Sequence, residues 1–174
     1  MFSFPLDGFR WTETRINTSF RCSHHHNLPS KIAKKYPNKQ PEDILRDLIA
    51  STPGAEGKWI TAAKDAGLFA VAAEWGTRSP TDPRTLTRAA RDFAEKQPDF
   101  ALAAGLTALR WISLGQGYEI TGGDVLDAYS VVTQAAACAG VPAQRVNEQI
   151  WEMVAGAQPG NSLMSTILAR HLSS

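Results

Sequence analysis

From Ser30 onward, apolar residues recur at three- and four-residue spacing, and prolines and glycines interrupt the recurrence at short intervals. Ser30 is placed to cap a short basic helix ending near Tyr36, before Pro37. Pro41, followed by Glu42 and Asp43, opens a helix with Ile44, Leu45, Leu48 and Ile49 on one face. Thr52-Pro53-Gly54 closes it. Residues 57–66 form the next helix, with Trp59, Ile60, Ala63 and Ala66 inward, and residues 68–77 follow after Gly67. Asp82 as N-cap with Pro83 at the first helical position starts a helix carrying Leu86, Ala89, Ala90, Phe93 and Ala94.

Pro98 opens a longer helix through Phe100, Leu102, Leu106, Leu109, Trp111 and Ile112, which Gly115-Gln116-Gly117 ends. Thr121 begins an alanine-rich helix to about Ala139, with Val125, Leu126, Tyr129, Val132 and Ala136 inward. A helix with Val146, Ile150, Trp151 and Val154, and a last one over 162–172, complete the chain. Residues 9–22 read differently, with aromatic and β-branched residues in partial alternation, as a hairpin or an extended arm. The division is a basic N-terminal arm at 1–39 and a helical domain at 40–174.

Short connections make successive helices antiparallel. Residues 57–77, 83–115 and 121–155 form three helical pairs of about thirty residues, near the period of helical solenoids. Ala62, Ala63, Ala66, Gly67, Ala89, Ala90, Ala101, Ala103 and Ala104 resemble the small positions of tetratricopeptide repeats. The tryptophan–leucine–glycine–tyrosine spacing of those repeats is not reproduced. The expected class is mainly α: stacked antiparallel pairs, as a repeat-like solenoid or a helical bundle.

Composition narrows the setting. The 174 residues are 43% hydrophobic and 20% charged, an ordinary soluble globular balance that excludes global disorder. No stretch approaches the roughly 18–20 apolar residues of a membrane span, and the start lacks a secretory pattern. Cys22 and Cys138 make no disulfide framework, so a cytoplasmic setting is expected. Charge is uneven. Residues 1–39 hold seven basic and two acidic side chains, a net +5, whereas 40–174 hold eleven and fifteen, a net −4. A basic arm on an acidic body steers an anionic partner, nucleic acid or acidic protein, or is simply a solvated extension.

Candidate chemistry is sparse, and neither a cofactor nor a catalytic set is expected. Gly54-Ala55-Glu56-Gly57-Lys58-Trp59 fails as a phosphate loop, because two residues separate the glycines and tryptophan stands where Ser/Thr must bind magnesium. Cys22, His24 and His26 have zinc-ligand chemistry, but a closed site needs Cys138 or His171 from far away, so no metal is assigned. Asp124 and Asp127 open a helix and favour its dipole. The aromatic and arginine residues say more. Trp59, Trp111 and Trp151 sit on apolar faces as core, while Trp75, at a helix end, is expected partly exposed. Trp and Arg are enriched at interface hot spots. Arg10, Trp11 and Arg15 are the first-choice partner patch, unless the arm docks on its own helices. Trp75, Arg78, Arg84, Arg88 and Arg91 form the alternative surface.

The runs Pro41 to Leu48, Ser51-Thr52-Pro53-Gly54, Gly57-Lys58-Trp59, Ala62 to Leu68, Asp82 to Phe93 and Gly117 to Gly122 resemble the helical C-terminal region of larger bacterial proteins. Those proteins occur on chromosomes, plasmids and other mobile elements. The likeness spans about Tyr36 to Val154, and residues 1–35 replace the relatives' longer N-terminal region. A short, rewired mobile-element protein is similar in size and setting to anti-CRISPR proteins. The resemblance implies a non-enzymatic inhibitor that binds a bacterial defence complex, such as a CRISPR–Cas effector, and blocks or dismantles it. The alternative is a nucleic-acid-binding regulator using the basic arm.

Overall fold

Start signals decide where the helices begin. The computed structural model describes residues 39–156 and 162–172. The arm, the helix expected before Pro37, and Arg10, Trp11, Arg15, Cys22, His24 and His26 lie outside the described residues. Among the described residues eight α-helices pack as a bundle. They are α1 (Pro41–Ala50), α2 (Ile60–Asp65), α3 (Phe69–Arg78), α4 (Pro83–Phe93), α5 (Pro98–Ser113), α6 (Gly122–Ala139), α7 (Ala143–Ala155) and α8 (Ser162–Leu172). Proline occupies the first helical turn of α1, α4 and α5, where its missing N–H costs nothing. Asp82 caps α4, accepting from the Thr85 N–H at 3.0 Å and the Thr85 hydroxyl at 2.8 Å. Thr121 and Asp124 close a reciprocal capping box on α6.

One expected helix is split. Residues 57–66 begin as a 3₁₀ turn (Glu56–Trp59) before α2. The Gly57 N–H is drawn to Ser79 Oγ at 2.7 Å, which ties the turn to the segment entering α4.

The core is organised by α5, which packs against α3, α4, α6 and α7. Its Phe100, Ala104, Ala108 and Trp111 join an apolar cluster with Ile44, Leu45, Ile60, Trp75 and Leu86. Its Leu106, Leu109 and Ile112 join a second cluster with Val125, Val132, Val146, Ile150, Met164 and Leu168. Close approach of α5 and α6 depends on Gly105, where a Cβ would stand 2.6 Å from Val132 Cγ2. Trp111 is buried with its indole N–H donating to the Gly76 carbonyl at 2.8 Å. Phe69, Phe93 and Phe100 form an aromatic triangle with centroids 5.2–5.8 Å apart, and Lys64 Nζ lies 5.3 Å from the Phe93 centroid.

Three side chains depart from the sequence expectation. Trp75 is core, 7% exposed, because α3 is covered on one side by the 3₁₀ turn and α2 and on the other by α5. Trp151 is 52% exposed. Helix α7 meets the bundle through Val146 and Ile150, and Trp151, about 100° around the helix from Ile150, falls off that stripe. Leu126 is 40% exposed for the same reason beside Val125. No helix among the described residues is long and apolar enough to cross a membrane.

Candidate functional site

Arg84, Arg88 and Arg91 lie four and three residues apart, on one face of α4. Because α4 packs on both α5 and α6, that face meets the first turns of α6. The three arginines then diverge in role.

Arg84 is fully engaged. Its Nε donates to Asp124 Oδ1 at 2.7 Å and its Nη2 to Asp124 Oδ2 at 3.0 Å, a bidentate pair. The same Nη2 donates to the Glu119 carbonyl at 2.9 Å. Asp124 Oδ2 also accepts from the Thr121 N–H at 2.8 Å and the Thr121 hydroxyl at 2.7 Å. The Arg84 guanidinium first, and then the two Thr121 donors, hold the Asp124 carboxyl well below the usual carboxylate range. The pairing raises Arg84 in turn.

Arg91 is loosely engaged: its Nη2 lies 3.3 Å from Asp127 Oδ2, with the two side chains 51% and 67% exposed. Arg88 is exposed and has no ion-pair partner among the described residues. A cleft of about 180 Å³ opens between these arginines and the two aspartates, floored by Pro83, Thr87 and Ile112. Small-molecule pockets usually hold roughly 300–1,000 Å³, so this cleft suits a single side chain better than a cofactor.

Arg84 also shapes the loop between α5 and α6. Gly117 has φ +106°, and a Cβ there would meet Ile120 Cδ1 at 2.7 Å and Pro83 Cδ at 3.1 Å. Glu119 follows with φ +45°, an unusual conformation for a residue with a side chain. Between them Tyr118 projects, 78% exposed. The strained turn, the capping box and Arg84 together hold the backbone next to Tyr118, and the Glu119 carbonyl meets the cleft's Arg84.

The structure thus brings together Arg84, Arg88 and Arg91, as their spacing suggested. It does not add Trp75, which is core, and Arg78 is exposed elsewhere, paired with Glu74 on α3. Asp124 and Asp127 partner arginines forty and thirty-six residues earlier in the chain, a role that helix polarity alone did not reveal. Tyr118 and Glu119 were missed. The signal was Gly115-x-Gly117, read as a helix stop but also the mark of a loop with several left-handed residues.

The turn at 54–57 already supplies its own anion. Glu56 Oε1 accepts from the Gly54 N–H at 3.1 Å, and Glu56's own N–H, Gly54 and Ser79 lower its carboxyl. Among the described residues no group of three or more His, Cys, Asp or Glu side chains is placed to hold a metal ion. No protein-family model, curated protein or solved structure matches the chain.

Proposed function

We propose that the chain is a non-enzymatic protein-binding protein whose contact surface centres on Tyr118, Arg88 and Arg91. The observation that carries the reading is the pair of exposed arginines on one face of α4, Arg88 without an ion-pair partner among the described residues and Arg91 loosely paired, with a 78%-exposed tyrosine, Tyr118, in the loop that Arg84 of the same face holds. Tyr and Arg are among the residue types on which interface energy concentrates. Helices α2 to α7 act as three stacked pairs that carry this surface, and the basic arm, through Arg10, Trp11 and Arg15, supplies a second contact.

The most specific form of the proposal is a mobile-element inhibitor that acts in the bacterial cytoplasm on a defence complex such as a CRISPR–Cas effector. The test is phage plating on a CRISPR-immune host expressing the chain, together with affinity capture of effector subunits. Rescue of plating and capture of a subunit, both lost in Tyr118→Ala/Arg88→Glu, support it. Unchanged immunity and no subunit captured, across the immune systems assayed, would overturn this form. The second reading, nucleic-acid binding, is favoured by the +5 charge of residues 1–39. It requires an affinity that falls steeply with salt, which a protein interface does not.

A further inference from the structure

We infer that the cleft between α4 and α6 is a receptor for an acidic side chain of a protein partner, with Arg88 and Arg91 as its ligands and Asp127 as an internal stand-in. The inference rests on the protein-binding reading and names the partner's chemistry. Three arginines line one cleft, yet only Arg84 is saturated, by a bidentate carboxylate and a backbone carbonyl. Arg88 has no carboxylate among the described residues, and Arg91 shares one at 3.3 Å in an exposed pair. Exposed pairs of this kind contribute little and exchange readily.

Among the side chains lining the cleft, Arg84 is paired with Asp124 and Arg91 with Asp127, which leaves Arg88 as the lining charge without a carboxylate; Asp82 and Glu119, outside the lining, act on Arg84. The site therefore favours one negative group. At i and i+3 on a helix, Arg88 and Arg91 are neighbours and can bracket a single carboxylate. An incoming Asp or Glu would take the place of Asp127 on Arg91 and add Arg88.

A phosphate backbone fits less well. It presents a row of anions, whereas the cleft offers one unpaired arginine, and the charges beyond the first would meet Asp124 and Asp127. The volume, about 180 Å³, accommodates a side chain without demanding a deep insertion.

The test uses the full chain and an acidic decapeptide of Glu, Asp and Leu, followed by the Nε–Hε resonances of arginine. The expected result is a concentration-dependent shift of Arg88 and Arg91 with Arg84 unmoved. Arg88→Glu/Arg91→Glu should weaken the peptide at least tenfold with an unchanged melting temperature. Asp127→Asn should tighten it several-fold, because it removes the competitor. A purely structural Asp127 would give no tightening. Silent Arg88 and Arg91 signals, an equal shift of Arg84, or stronger shifts with a ten-nucleotide oligothymidylate would each overturn the inference. Loss of partner capture in Tyr118→Ala with silent arginines would sink the inference and leave the protein-binding reading standing. Arginine shifts without any captured partner would do the reverse.

Discussion

Arg84 and Asp124, forty residues apart in the chain, meet through two hydrogen bonds of 2.7 and 3.0 Å. The pair joins the first turn of α4 to the cap of α6. Through the Glu119 carbonyl it also holds the loop that carries Tyr118. A salt bridge between helices thereby anchors the backbone next to an exposed tyrosine.

Removing the carboxylate should loosen that loop as well as the helix start. In Asp124→Asn the melting temperature should fall, and amides at 117–120 should exchange faster. Thr121→Ala, which removes only the cap hydroxyl, should cost about 1 kcal/mol. Urea unfolding and hydrogen exchange measure both. Unchanged exchange at 117–120 in Asp124→Asn would separate the pair from the loop.

Acid should reveal the same carboxylate. Its folded pKa is depressed, so its stabilising contribution is complete above the unfolded value, about 3.9 for Asp. It declines as pH falls below that value and is gone once pH passes the folded pKa. The stability difference between the native chain and Asp124→Asn should be constant above about pH 5 and shrink towards pH 2. Denaturant titrations across that range provide the check.

The α5–α6 crossing should resist enlargement. Gly105→Ala gains helix propensity of about 1 kcal/mol, but its Cβ would press on Val132, whose branched side chain has few alternative rotamers. Overpacking of this kind costs roughly 1–3 kcal/mol. The expected net result is destabilisation, relieved when Val132→Ala is added. A stabilised single variant would show that the helices part without cost.

The tryptophans should divide by burial. Trp75→Ala removes a core ring and should cost about 3–5 kcal/mol. Trp151→Ala, from a side chain 52% exposed, should cost far less. Among Trp75, Trp111 and Trp151, replacing Trp151 by Phe should remove the most acrylamide-quenchable emission.

Helices α1 and α3 to α8 were legible because their signals are local. Pro83 and Pro98 mark starts, Asp82 and Thr121 are caps, and Leu86, Leu109, Val132 and Ile150 each belong to the buried face of their own helix. Arg84, Arg88 and Arg91 could be placed on one face by counting alone. Their partners could not, since Asp124 and Asp127 reach them only after α4 and α6 pack. Trp75 and Trp151 were misassigned because periodicity shows which residues share a face, not how widely that face is covered. Trp75 has helices on two sides, whereas Trp151 stands beyond the edge of a narrow contact.

Helix α5 is enclosed on almost every side, and both apolar clusters lean on it. Neither cluster can come apart without uncovering the same helix, so the two halves share a fate. The amides at the middle of α5 should therefore exchange at the rate of global opening. Their deuterium uptake is therefore a direct clock for global unfolding, against which any looser opening near Tyr118 can be timed.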